Sequence, residues 1–291
     1  MTAVILLLLT FAVNFVMNSV FWSVMCFLAT PFSETLARMS AEETQTLIVY
    51  LTVASILVPA VLAYMNGMQK SLAWSEGARP AQGEEYRRLD FIFSYVCRKA
   101  NLPREDFTLC VVNSDAANAF SLGSRYIAVN RGMLAAFPDE EIAGILAHEL
   151  GHIECGHTRY LLFNLGMNWF TNVTIIVYGI LTTVVGLLAW IPFLGWVIVL
   201  VASGFNIFIS ILSWMLRIPL QLVTLFGSRQ HEYEADAYAC SIGLGYCLAD
   251  GLRRIAGPTG PQKSGFLRTL GSTHPDIPDR LKHIQEEMRK Q

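Results

Sequence analysis

The sequence predicts an α+β membrane protein, in which four transmembrane helices accompany a soluble domain assembled from two separate segments. Three observations lead to that expectation. Long runs of the chain hold no charged side chain. The pentapeptide His148-Glu149-Leu150-Gly151-His152 lies between two of these runs. An acidic pair, Glu232 and Asp236, follows the longest of them.

Of 291 residues, 53% are hydrophobic and only 15% are charged. In an ordinary soluble domain charged residues make up about a quarter. The formal net charge of −2 gives no sign of nucleic-acid binding. Met1–Ser33, Thr44–Gln69 and Tyr160–Leu216 contain no Asp, Glu, Lys or Arg, and the last run covers 57 residues. A helix crossing a bilayer needs about 20 apolar residues, so these runs accommodate one, one and two spans.

The first span is expected over Val4–Ala29. It has no basic leader and no A-x-A site, and its apolar run exceeds the 7–15 residues or so of a signal peptide, so it reads as retained. The second is expected over Leu47–Met65. The long run breaks at Trp190-Ile191-Pro192-Phe193-Leu194-Gly195-Trp196, where Pro and Gly between tryptophans suit a turn at the membrane interface. The third and fourth spans are then Trp169–Trp190 and Trp196–Leu216. Four parts follow: a helical pair with a short external loop over 1–65, a soluble segment over 66–159, a helical hairpin over 160–216 and a second soluble segment over 217–291.

The loops set the orientation. Pro31–Glu43 carries Glu34, Glu42 and Glu43 against Arg38 alone, whereas Lys70, Arg79, Arg87, Arg88, Arg159, Arg217 and Arg229 gather on the other side. Lys and Arg accumulate on the cytoplasmic face, so both soluble segments and both termini are expected there. Five of the six cysteines lie in those segments, in a reducing compartment and with no C-x-x-C pair. They are expected to be free thiols in packed surroundings.

In the first soluble segment, Leu89, Ile92, Phe93 and Val96 recur at helical spacing within Glu84–Asn101. Phe107–Val112 and Arg125–Val129 are β-branched or aromatic runs bounded by Asn, Ser and Gly, hence strands. Phe137-Pro138-Asp139-Glu140-Glu141 opens another helix, with Pro near its start and acids in its first turn. That helix carries the H-E-x-x-H pattern. Its two imidazoles, one turn apart on one face, can hold a zinc ion with the Glu aimed at a metal-bound water.

A catalytic zinc usually takes three protein ligands. The best third candidate is Glu232 in Ser228-Arg229-Gln230-His231-Glu232-Tyr233-Glu234-Ala235-Asp236. Asp236 lies four residues on and can accept a hydrogen bond from the far ring nitrogen of a ligand histidine. Two intervening spans return the chain to the same side of the membrane. His157 and His231 are rival ligands. Cys155, three residues past His152, points away from the bisector of the histidines on a helix.

His148-Glu149-Leu150-Gly151-His152 followed by Ser228-Arg229-x-x-Glu232-Tyr233-x-Ala235-Asp236 resembles the HtpX branch of the membrane zinc endopeptidases, relatives of the CAAX prenyl endoproteases. Asn118-Ala119-Phe120, Arg131-Gly132-Met133-Leu134 and His274-Pro275 with Arg280 also match, and the resemblance covers essentially the whole chain. It departs at His231 and in the acidic first loop. The resemblance implies a thermolysin-like (gluzincin) zinc protease domain on the membrane helices. One Zn²⁺ per chain would be held by His148, His152 and Glu232, with Asp236 behind them and Glu149 as general base. Asn118, Ala119 and Phe120 resemble the edge strand that takes the substrate peptide in such enzymes, and the resemblance implies an oxyanion donor at His274. Arg229 and Arg280 are expected as structural ion-pair partners. The resemblance further implies a multi-pass inner-membrane enzyme facing the cytoplasm. Its expected substrates are misfolded or damaged membrane proteins and unfolded polypeptides, in a stress response, with the lipid bilayer as its other partner.

Two other classes compete. A prenyl-protein endoprotease has more spans around an enclosed chamber than the four expected here. The other is a membrane scaffold or transporter-like protein; a transporter would keep ionisable residues in its spans, and these four contain no Asp, Glu, Lys, Arg or His. The orientation is testable. A reporter fused after Gln291 should be active in the cytoplasm, and residues 34–43 should label from outside intact cells. External labelling near Arg88 would reverse the topology.

Overall fold

The computed structural model describes residues 2–186, 195–197, 199–200, 203–204, 207, 210, 214, 229–256 and 277–290. The chain divides into two compact units, one of residues 1–63 and 163–224, the other of residues 64–162 and 225–291.

The first unit contains α1 (Thr2–Ala29), the short α2 (Glu34–Arg38), α3 (Ala41–Leu62) and most of a long helix that begins in the second unit. A capping box starts α3: Ser40 Oγ accepts from the Glu43 N–H at 3.2 Å and Glu43 Oε2 from the Ser40 N–H at 2.8 Å. Among the described residues, three helices are long and apolar enough to cross a membrane: Leu7–Phe32, Ala41–Leu62 and His157–Val184. The third starts well before Trp169, because nothing between His157 and Trp169 breaks a helix. The expected turn at 190–196 and the fourth span lie largely outside the described residues.

These helices meet through an apolar knot of Ile56, Ala60 and Met167, ringed by Leu7, Phe11, Phe15 and Phe163. Beside it runs a buried polar seam. Asn14 and Asn18 lie one turn apart on α1, with Thr52 and Ser55 on α3 and Thr171 on the third helix. Asn14 Nδ2 donates to the Thr10 carbonyl at 2.8 Å and to Asn168 Oδ1 at 3.0 Å. Thr171 Oγ1 approaches Asn14 Oδ1 and lies 2.8 Å from Asn18 Oδ1, and Asn18 Nδ2 donates to Ser55 Oγ at 3.1 Å. In an apolar medium such bonds hold helices together where burial of apolar surface gives little driving force.

The second unit contains α4 (Asn66–Ser75), β1 (Ala78–Pro80), α5 (Gly83–Ala100), β2 (Thr108–Val112), β3 (Ala119–Leu122), β4 (Tyr126–Asn130), α6 (Arg131–Ala136) and α7 (Asp139–Glu154). It also holds the start of α8 (His157–Gly186), then α9 (residues 229–241), α10 (Gly245–Ala256) and α11 (Ile277–Arg289). The sheet order is β1-β2-β4-β3; β2 and β4 are parallel and the outer pairs antiparallel. Alternation gives the sheet two faces. Leu109, Val111, Ile127 and Val129 join Leu89, Ile92, Phe93 and Val96 of α5 and Ile142, Leu146 and Leu150 of α7 in the main core, which Leu248 and Leu252 of α10 extend. Cys110 and Ala128 face the other way, against Ala73 of α4 and Ala78.

The sequence places α5, β2, β4 and α7 to within about two residues. It misses β1 and α4, which are too short or too polar to show a period. All six cysteines are free, but Cys155 is exposed rather than packed, because it caps the C-terminus of α7.

Asn18→Leu should remove the bonds to Thr171 and Ser55. At roughly 0.6–2 kcal/mol per interhelical bond in a membrane, unfolding stability in detergent should fall by about 1–4 kcal/mol. An unchanged or raised stability would deny the seam its role.

Candidate active site

Helix α7 supplies the centre. Acids at Asp139, Glu140 and Glu141 favour its positive N-terminal pole. Its 3.6-residue repeat turns Ile142, Leu146, Leu150 and Ile153 into the core, leaving His148 and His152 on a common side. Gly151 lets α9 approach closely: a β-carbon there would lie 3.0 Å from the Ala235 carbonyl oxygen. That contact brings Glu232 and Asp236 to the imidazoles.

His148 Nε2 and His152 Nε2 are 3.2 Å apart. Glu232 Oε2 is 3.4 Å from the first and Glu232 Oε1 3.3 Å from the second. A tetrahedral ion of zinc's size, with bonds of about 2.0–2.1 Å, needs donors about 3.3–3.4 Å apart. The three side chains therefore fit such an ion in both spacing and donor chemistry, and they form a group able to hold a metal. The expected ligands are brought together. The rivals are not: His157 meets His152 from behind, and His231 stacks on His157 with ring centroids 4.1 Å apart.

Around the donors lies a buried charge cluster. His148 Nδ1 is 2.9 Å from Asp236 Oδ1, so the carboxylate accepts from the ring nitrogen remote from the ion position. Arg280 of α11 donates to both Asp236 oxygens, at 2.9 and 2.6 Å, and its Nη1 lies 3.0 Å from Glu232 Oε2. Glu149, Glu232 and Asp236 are all buried, as is Arg280. Three carboxylates against one guanidinium leave two negative charges, which a divalent cation would balance.

Burial would raise the Asp236 carboxyl, but the Arg280 charge and the bond to His148 outweigh it and hold Asp236 below its usual range. Burial and the Arg280 charge push the His148 imidazole down, yet its bonds to Asp236 and Glu232 and the Asp236 charge prevail and lift it to about 9. A ligand imidazole must be neutral, so a proton and an ion compete for this ring.

Ser121 of β3 donates to Glu149 Oε2 at 2.9 Å. Sequence reasoning did not single out Ser121, although its place two residues after Ala119 puts both on one face of the strand. Asn118 precedes β3 and accepts from the Asn130 N–H at 2.9 Å, continuing the ladder with β4. Ala119 packs into the main core and Phe120 turns to the opposite face. Among the described residues β3 is the last strand of the sheet. Arg229 begins α9 and is exposed, while Ser228, His274 and Pro275 lie outside the described residues. Glu234 also belongs to the site and is not singled out by the sequence, and His157, a rival ligand there, instead links His152 to Glu234.

Residues 84–288 match the model of peptidase family M48. The chain belongs to this family of metallopeptidases. It is similar to a protease HtpX homolog of Aquifex aeolicus (strain VF5), 27% identical over 81% of this chain and 85% of that protein. It is also similar to a protease HtpX homolog of Tropheryma whipplei (strain Twist), 28% identical over 60% of this chain and 65% of that protein. Among solved structures, the S. mikatae Ste24p crystal structure aligns with 82% of this chain and 57% of that chain, at 18% identity and a TM-score of 0.46.

Arg280→Met should leave Glu232 and Asp236 buried without a counter-charge, which costs about 3–5 kcal/mol. Thermal unfolding of chelator-treated protein should show that loss. Arg253→Met, which removes an exposed pair with Asp250, should show little. Equal effects of the two substitutions would remove the buried cluster from the stability argument.

Proposed function

We propose that this chain is a zinc-dependent endopeptidase of the membrane, and that it cleaves peptide bonds in cytoplasmic regions of misfolded or damaged membrane proteins. The tetrahedral spacing of His148, His152 and Glu232, beside a glutamate on the same helix, carries this reading. Membership of a metallopeptidase family and three helices able to cross a membrane support it. His152 precedes the uncharged run at Tyr160 by eight residues, which keeps the site near the start of a span. The Lys and Arg distribution favours the cytoplasmic side of an inner membrane.

Zinc, when bound, polarises a carbonyl oxygen and lowers the pKa of water towards 7. The chain's own groups do the rest. Glu149 accepts a proton from the attacking water and passes it to the leaving nitrogen. Ser121 fixes the Glu149 carboxylate from the strand side. Asn118 leads into the outer strand and Ala119 and Phe120 lie on it, where an extended substrate can add through backbone bonds with little regard to its sequence. Such recognition suits unfolded chains. Asp236 fixes the His148 tautomer, and Arg280 holds Asp236 and Glu232 in place. His274, by resemblance, donates to the developing oxyanion.

Glu149→Gln should retain about one zinc per chain and lose at least ~10²-fold in turnover of a casein-type substrate by the detergent-purified protein. Glu232→Ala should lose the metal itself. Near-normal hydrolysis by Glu149→Gln would refute the general-base assignment, and full zinc content in Glu232→Ala would refute the third ligand.

A further inference from the structure

The two ligand imidazoles are oriented differently. His148 meets a carboxylate directly through Asp236. His152 does not. Its Nδ1 lies 2.9 Å from His157 Nδ1, and His157 Nε2 lies 2.9 Å from Glu234 Oε2. Glu234 Oε1 in turn accepts from Gln230 Nε2 at 3.2 Å.

The direction of these bonds follows from the donor inventory. A neutral imidazole carries one proton. His152 points Nε2 at His148 Nε2 and Glu232 Oε1, so that nitrogen must be bare to hold an ion, and its proton sits on Nδ1. His157 Nδ1 must then accept, which puts the His157 proton on Nε2, facing the Glu234 carboxylate. Every donor meets an acceptor. The reverse assignment would set a bare His157 Nε2 against a carboxylate and a protonated His152 Nε2 inside the metal site. His157 is buried at the N-terminus of α8, after the α7–α8 turn that Gly156 closes at φ +80°. The His231 ring, stacked nearly parallel on His157, holds it in this plane.

We infer that Glu234 and His157 form a two-member relay that positions His152 for metal binding, as Asp236 does for His148. One helix, α9, then supplies a ligand in Glu232 and the orienting carboxylates for both imidazoles. Glu234 is half-exposed and bonds to His157, which in turn meets His152, so His157 is the bridge between them. His157 is a positioning residue. The inference rests on the metal site proposed above.

Zinc affinity of full-length, detergent-purified protein, measured by chelator competition, tests it. The parent must first bind zinc in a manner that His148→Ala abolishes; failure here overturns the metal site itself. Given that site, His157→Ala should weaken zinc by roughly 10–100-fold while the chelator-treated protein stays folded. Glu234→Gln should weaken it less. The double variant should be no weaker than His157→Ala alone, because Glu234 acts through His157. His157→Asn, whose amide oxygen can accept from His152, should recover part of the affinity. If His157→Ala fails to fold, the Asn and Gln variants carry the test. Folded His157 and Glu234 variants that bind zinc within about threefold of the parent would overturn the relay. So would a Glu234 effect that persists in full without His157.

Discussion

Three buried carboxylates share one guanidinium, and much of the second unit is arranged around that imbalance. Each unpaired ion in a protein interior costs several kcal/mol. Arg280 offsets part of the cost by bridging Asp236 and Glu232, and His148 takes a further share through its bond to Asp236. With His148 neutral, as a metal ligand must be, two negative charges remain. The cluster is therefore complementary to a divalent cation before any substrate is considered. It also joins α7, α9 and α11, which lie far apart in sequence, at a single point. The close approach at Gly151 follows from this, because a wider gap between α7 and α9 would part the carboxylates from the imidazoles.

The surrounding core holds this cluster without supplying charge to it. Leu146 and Leu150 flank the histidine face of α7, and the β-sheet packs against the same helix. Ligands borne by packed helices keep their geometry better than ligands on loops. Ser121 comes instead from the last strand, so the group that aims Glu149 lies on the element proposed to take the substrate. A peptide added to that strand would lie near the carboxylate that handles its proton.

How much of this the sequence reveals depends on how local each feature is. The helix bearing His148 and His152 is legible because period, capping acids and motif coincide within Phe137–His152. The strands β2 and β4 are legible from their β-branched runs. Glu232 and Asp236 can be paired from their four-residue spacing. β3 emerges only through the resemblance of Asn118-Ala119-Phe120, since four residues are too few to show alternation. Arg280 reads as an ion-pair partner, but its two carboxylates lie 44 and 48 residues away in sequence, beyond any local pattern. His157 is the instructive case. The sequence offers it only as a rival ligand, but Gly156 ends the turn after α7 and His157 opens the next helix, where it meets His152 and Glu234 instead.

The membrane unit obeys the same rule with the opposite outcome. Counting formal charges makes the spans look uniformly inert, yet Asn14, Asn18, Ser55 and Thr171 form a connected seam among three helices. Their bonds tie the three helices to one another, so the seam acts as a fastener. In the protease-family unit, the Nε2 atoms of His148 and His152 and the carboxylate of Glu232 converge on a common point, while their outer atoms are fixed by neighbours. In both clusters buried polar groups find partners, although among the seam hydroxyls Thr10 Oγ1 and Thr52 Oγ1 do not. The difference is that one directs its bonds between helices, whereas the other turns three ligand atoms toward a point where an ion would fit. Convergence of that kind, rather than burial or charge alone, distinguishes the candidate metal site from structural polar packing in this chain.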